Sequence, residues 1–472
     1  MHFSTYEFWV FFLLVWSLYT LAVTPVKRRI VLLAASYVFY ASWGIELLLL
    51  LLATTTVSYV TGYFARKPNA PALRRLALCL SVFFHVGILV FFRYVTAFLQ
   101  VFAQWSPVPV STLSHMNDAI LIPVGISFFT LQCMSYPFEC YQGKVTQRPA
   151  LLDYALFVAF FPQLLAGPIE RASRLLPQFR ICPSINWEDL RIGSERIALG
   201  LWQKLFIADT LSHLVNSVFT APNASGPQIY VATACFAIQL YGDFAGYSNI
   251  ARGTARLLGF ELTLNFARPF LATNVADFWK RWHMTLYEWL RDFVFWPMTR
   301  SSRSHSRQIL ACFLAFFLVG VWHGSGWNFI VMGLYLGTLR AGFAAWQLYF
   351  PSKRKATPET ALQIWAKRFW TFQAFLPAML AFRADDLSHL MRLCRSLTVG
   401  WSQWLESTRE LWIYLLPVAT ALLVVETVQE YRLRTKAKPL RQSIRHGLSA
   451  AGLATAILWS RGSAMPFIYF IF

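Results

Sequence analysis

Apolar runs recur almost from end to end of this chain, and they constrain its fold more than any other feature. They cover residues 8–26, 30–43, 47–64, 76–92, 157–165, 309–322, 329–350 and 411–425. A bilayer-spanning helix takes about 20 apolar residues, and fewer where neighbouring helices bury it. The 472 residues are 57% hydrophobic and only 14% charged, and that length predicts roughly ten to twelve passes or re-entrant segments. The expected fold is therefore an all-α polytopic integral membrane protein. Many runs are interrupted by Gly, Pro or charge. That favours a helical bundle enclosing a cavity, with re-entrant and interfacial helices, over a row of lipid-facing spans.

The formal net charge is +20. The basic residues sit in short stretches such as Lys27-Arg28-Arg29 and RKPNAPALRR at 66–75, as the positive-inside rule expects of cytoplasmic loops. Taking that triad as cytoplasmic puts the N-terminus and residues 105–117 outside. Residues 353–367 and 431–445 read as further basic loops. No basic, aromatic-interleaved soluble module is visible, so membrane lipid rather than nucleic acid is the expected surrounding. The seven cysteines are dispersed, with no C-x-x-C pair. They read as buried small residues, and no metal is expected. The first 24 residues lack the basic start and small-residue cleavage site of a signal peptide, which predicts a retained first span. No internal repeat appears. The prediction is one membrane domain over 1–472, with N-terminal helices at 1–120, a catalytic core at about 121–350 and C-terminal helices at about 360–472.

Two motifs stand out within this apolar chain: DFWKRWHMTLYEWLRDF at 277–293 and GVWHG at 320–324. Each sets a histidine after a tryptophan, His283 after Trp282 and His323 after Trp322. Titratable groups in a membrane are costly, and by default they mark function. Around His323, Gly324 and Gly326 let the backbone bend and a ligand approach. Imidazole titrates near neutrality and suits a general base, although a helix–helix hydrogen bond would also account for the residue. His283 follows Lys280 and Arg281. An interfacial helix with a tryptophan belt and snorkelling cations explains much of residues 277–293. It explains less well why these three residues adjoin. A basic cluster beside a histidine suits a phosphate-bearing donor. Asp243, in YGDFAGYSNIARG, is a charge among small and apolar residues.

No nucleophile elbow, zinc-protease, Walker or dinucleotide motif occurs in a fitting context, which disfavours serine hydrolases, zinc proteases and nucleotide-driven pumps. From the residues alone, the chain is a membrane protein with a buried two-histidine polar site. A transporter or polysaccharide channel using the histidines as proton relays stays open, though no repeat pair of broken helices points to one.

Taken together, the motifs resemble the membrane-bound O-acyltransferase (MBOAT) superfamily, in its bacterial branch typified by the alginate O-acetyltransferase membrane subunit. The resemblance runs through ASYVFYASWG (35–44), PVGISFFTLQCMSYPFECYQG (123–143), FPQLLAGPIER (161–171), FIADTL (206–211), YGDFAGYSNIARGTARLLGFELTLNFARPF (241–270), the two histidine motifs, FRADDL (382–387) and PFIYFIF (466–472). It implies an MBOAT-type helical bundle around a central tunnel in the bacterial inner membrane. His323 matches the superfamily's catalytic histidine, and His283 matches the second polar position of this branch. The implied reaction moves an acetyl group from cytoplasmic acetyl-CoA to a hydroxyl on the outer side, with His323 as base and His283 bonding donor or acceptor and steadying the oxyanion.

Lys280, Arg281 and Arg291 are candidates for the CoA phosphates by their charge, and Trp282, Trp322 and Asp243 join the candidate donor- and substrate-binding set. The implied partners are a periplasmic acyltransferase subunit or a polysaccharide acceptor, with cellulose, alginate and peptidoglycan all candidates. Asn249, ECYQG at 139–143 and TRSS at 299–302 depart from the branch's usual pattern and loosen the assignment to alginate. A D-alanyl transferase of the same superfamily, fed by a carrier-protein thioester, is the alternative.

Overall fold

The computed structural model describes the chain except for residues 2, 4, 104–122, 303, 351–358, 437–441, 460–466 and 469–472. Every regular element among the described residues is helical, so the protein is an all-α multi-pass membrane protein. Five helical stretches among those residues are long and apolar enough to cross a bilayer: Ile45–Ala65, Pro71–Val95, His305–His323, Trp327–Tyr349 and Trp401–Arg434. The other apolar runs form shorter or more polar helices. Five spans are fewer than the ten to twelve passes or re-entrant segments expected, and Tyr6–Leu21 is a shorter apolar helix. The chain forms two compact units. The first holds Met1–Ile197 and Tyr247–Thr263, and the second holds Ala198–Gly246 and Leu264–Ile468.

In the first unit, helices α1 (Tyr6–Leu21), α2 (Pro25–Ala41), α3 (Ile45–Ala65) and α4 (Pro71–Ala103) follow one another. The Lys27-Arg28-Arg29 triad opens α2 and does not form a linker. Pro25 pre-sets the first helical φ, and the Thr24 hydroxyl caps the Lys27 N–H. Arg29 pairs with buried Asp153 at 2.5 Å, on α6 (Leu151–Ala159). Helix α5 (Ile126–Tyr141) is the interrupted segment expected to face protein, and fourteen of its sixteen residues are buried. It starts at Gly125, whose φ of +79° and approach to the Leu164 carbonyl leave no room for a Cβ. Helices α7 (Ala172–Ile181) and α8 (Trp187–Trp202) complete the run. Glu261 gathers Arg196, Arg252 and Arg256, and fully buried Glu170 accepts bonds from the Thr263 N–H and hydroxyl.

The second unit begins at Ala198, in the last turns of α8, and a π-helical segment, Gln203–Ala208, leads on into α9 (Asp209–Thr220). The long helix α10 (Gly226–Leu257) supplies residues to both units. Residues 277–293, expected as one helix, are broken into α11 (Val275–Trp279), α12 (Met284–Leu290) and a π-helical segment, Arg291–Phe295, before α13 (Trp296–Thr299). The long pair α14 (His305–His323) and α15 (Trp327–Tyr349) cross backbone to backbone. A Cβ on Gly320 would lie 2.5 Å from the Gly333 Cα, so only glycine permits this crossing.

The expected basic loop 353–367 is helical from Ala361, where α16 (Ala361–Gln373) starts. Thr360 and Gln363 form a capping box there, a start signal that outweighs the charge. Helices α17 (Leu376–Arg383), α18 (Leu387–Ser396), α19 (Trp404–Arg434) and α20 (Gln442–Trp459) follow. The expected loop at 431–445 is likewise helical through Arg434 and again from Gln442. Residues 105–117, and PFIYFIF apart from Phe467 and Ile468, lie outside the described residues.

Candidate active site

The site is built around Asn265, in the LNFARPF segment. This residue is fully buried. Its backbone carbonyl accepts the Met284 N–H at 2.8 Å, while the Arg281 carbonyl accepts the Ala267 N–H at 2.8 Å. The segment is thereby strapped to the break between α11 and α12. In that break His283 takes a left-handed backbone, φ 42° and ψ 53°. A residue with a β-carbon rarely adopts this conformation, and it persists where the surroundings over-determine it.

The side chain of Asn265 sets the chemistry of His283. Its Oδ1 accepts from the Thr285 hydroxyl at 2.9 Å and from the Thr285 N–H at 3.4 Å. An N–H can only donate, so the atom it meets is the amide oxygen. The His283 Nδ1, 3.1 Å from that same oxygen, must therefore be the protonated ring nitrogen. In a neutral imidazole this leaves the lone pair on Nε2. Burial pushes the His283 imidazole down to about 3, so it is neutral at ordinary pH. The Phe244 ring meets it edge-on at 4.8 Å.

His323 is held differently. It is the last residue of α14, and it is half-buried. A helix's carbonyl end favours positive charge formed beside it. The Trp322 ring lies 4.8 Å from the His323 ring and 6.1 Å from that of His283. One indole thus brings the two histidines into a single neighbourhood. On its other side His323 packs against Phe382 at 4.9 Å. Buried Asn328 fixes Phe382 by donating to the Ala381 and Ala384 carbonyls at 3.1 and 2.8 Å.

The remaining candidates are spread around this core. Trp282 is buried against Phe266 and Phe278. Asp243 is taken up by Lys204 at 2.7 Å and by the Ile468 N–H at 2.7 Å, and Lys204 also pairs with Asp209. Arg281 bonds Asp277 and Glu430. Burial opposes its charge, but bonds to those carboxylates outweigh burial and raise its pKa. Lys280 is exposed, and Arg291 pairs with Asp292. The structure brings His283, Trp322 and His323 together. It gives Arg281 and Arg291 carboxylate partners within the fold and leaves Lys280 exposed.

Residue reading from sequence missed Asn265, Asn328, Phe382 and Lys204 as contributors. A polar amide inside an apolar segment was the available signal for the two asparagines.

A membrane-bound O-acyltransferase family model matches residues 37–381, a stretch that contains both histidines and the residues packed around them except Phe382 and Ala384. The chain belongs to that family, and it is an acyltransferase. Over 419 residues it is 31% identical to the probable alginate O-acetylase AlgI of Azotobacter vinelandii, covering 86% of this chain and 80% of that one. Against the peptidoglycan O-acetyltransferase of Helicobacter pylori it is 32% identical over 345 residues, 67% of this chain and 64% of that one, so it spans just under two thirds of that relative. The teichoic acid D-alanyltransferase of Bacillus subtilis is 31% identical over 266 residues, with 52% and 66% covered.

Proposed function

We propose that this protein transfers an acetyl group from cytoplasmic acetyl-CoA, across the bacterial inner membrane, toward O-acetylation of an exported polysaccharide. The observation that carries the reading is the pair of histidines on one indole, one of them locked neutral. His323 takes the proton from the acceptor hydroxyl as that oxygen attacks the thioester carbonyl. The C–O bond forms, the C–S bond breaks, and the proton passes to the CoA sulfur. His283 carries its lone pair on Nε2, so it accepts a hydrogen bond and does not donate one to an oxyanion. Its role in this scheme is to orient the acceptor by accepting from a neighbouring hydroxyl, which leaves the reacting hydroxyl's single proton to His323.

Arg281, Lys280 and Arg291 remain proposed contacts for the donor's phosphates. Asp243 is a positioning residue, through Lys204 and the neighbouring Phe244. The names of the alginate and peptidoglycan relatives support a polysaccharide acceptor, reached directly or through a periplasmic acyltransferase partner. The D-alanyl relative supports a second reading, with a carrier-protein thioester as donor. Incubating the purified protein with labelled acetyl-CoA separates them. Release of free CoA that depends on an acceptor is expected. No turnover with acetyl-CoA, together with turnover of a D-alanyl-loaded carrier protein, would replace the first reading with the second.

A further inference from the structure

The second unit contains a cavity of about 370 Å³ between α10, α16 and α19, away from both histidines in the residues that line it. Its walls are hydrocarbon: Ile238, Phe270, Phe372, Leu415, Ala419 and Leu422 are representative. Two of its polar groups, the Tyr230 hydroxyl and the Gln373 side-chain oxygen, satisfy each other at 2.7 Å. Arg368 also faces the cavity, and its buried Nε has no acceptor among the described residues. The buried Trp412 Nε1 of the same lining likewise has none among those residues. Both are donors, so the missing partner is an acceptor.

The surroundings of Arg368 are short of negative charge. Glu430 is already shared by Arg268, Arg281 and Arg434, and Asp277 is taken by Arg281. Glu426 accepts the Tyr241 hydroxyl at 2.5 Å. Four guanidiniums therefore stand against the two carboxylates Glu430 and Asp277. Burial, and then the Arg434 guanidinium, lower the pKa of Arg368. An arginine at an apolar slot in a membrane protein needs a counter-anion. The helix that carries it exposes Leu362, Trp365, Phe369 and Trp370 beside Lys367, the composition of a helix lying in the bilayer interface.

We propose that this cavity binds one anionic phospholipid, with an acyl chain in the hydrocarbon slot and the phosphate on Arg368. The site is independent of the acyl-transfer reading. A short acetyl group has no use for a slot of this size and polarity.

Native mass spectrometry of the detergent-purified protein tests it, with added phosphatidylglycerol, phosphatidylcholine or soluble glycerol phosphate. The expected result is one retained phosphatidylglycerol and little phosphatidylcholine. Arg368→Gln should weaken retention about tenfold or more, the loss of a charge-assisted bond. Ala419→Phe, which fills the slot, should abolish it, and Ala419→Leu should weaken it if the larger side chain does not fold. Equal retention of the two lipids, unchanged retention in Arg368→Gln, or competition by glycerol phosphate alone would overturn the proposal.

Discussion

His283 and His323 flank one indole but are held in opposite ways. His283 is 2% exposed, sits in a left-handed turn, and has its Nδ1 proton fixed on Asn265. His323 ends a 19-residue helix, half-buried, with the rings of Trp322 and Phe382 against it. The fold decides the charge of the first. It places the second at the carbonyl end of a helix, between two aromatic rings. Orientation and proton transfer are thus divided between two residues of the same type, and the division comes from their elements rather than from their chemistry.

Substitutions can break that comparison. His323→Ala should have the largest effect, lowering acetyl transfer by about 10² to 10⁴-fold, the usual contribution of a positioned base. Protein level and membrane insertion should be unchanged, and wild-type turnover in this variant would remove His323 from its role. His283→Ala should cost about 10²-fold through misplacement of the hydroxyl, leaving residual activity. A loss as complete as that of His323→Ala would mean the two histidines share the proton.

Phe382→Leu removes one ring from His323 without opening a large cavity. An aromatic contact is worth about 0.5–1.5 kcal/mol, so a drop in kcat of at most about tenfold is expected. No change would show that Trp322 alone holds the imidazole.

The smallest effect is structural and lies in the first unit. Burial pushes the Glu170 carboxyl up to about 7, against the bonds from Thr263 that pull it down. A carboxyl raised in the folded state holds a proton that the unfolded chain has released. Its contribution is therefore full below the unfolded value, 4.5, and is lost as pH rises through about 7. Glu170→Gln should flatten the fall in melting temperature over that window. An unchanged slope would mean the carboxyl is ionised in the fold.

Much of this was legible in the sequence because burial in a membrane follows hydropathy. The α3, α14 and α15 spans follow directly from their apolar runs, and the burial of α5 from the glycines and prolines that interrupt it. The Lys27-Arg28-Arg29 triad misled because a proline and a threonine cap convert a basic stretch into a helix start. The same held at Thr360, where a capping box outweighed charge.

The histidines could be picked out because each is an isolated titratable group beside a tryptophan. Their partners could not. Asn265 lies 18 residues from His283, and Asn328 acts on backbone carbonyls 53 and 56 residues away. No local pattern records such pairings. Arg281 looked available for a phosphate because its partner Glu430 is 149 residues distant.

The division between the two histidines is tested most directly by the pH dependence of kcat/KM in wild type and Asn265→Asp. Between about pH 5 and about pH 9, His283 should add no limb to the wild-type profile, because it is already neutral throughout. A carboxylate in place of the Asn265 amide favours the imidazolium of His283. The account predicts a second acid limb, or a limb moved to higher pH, in the variant. Two imidazole limbs already present in wild type, or a variant profile that superimposes on wild type, would contradict it.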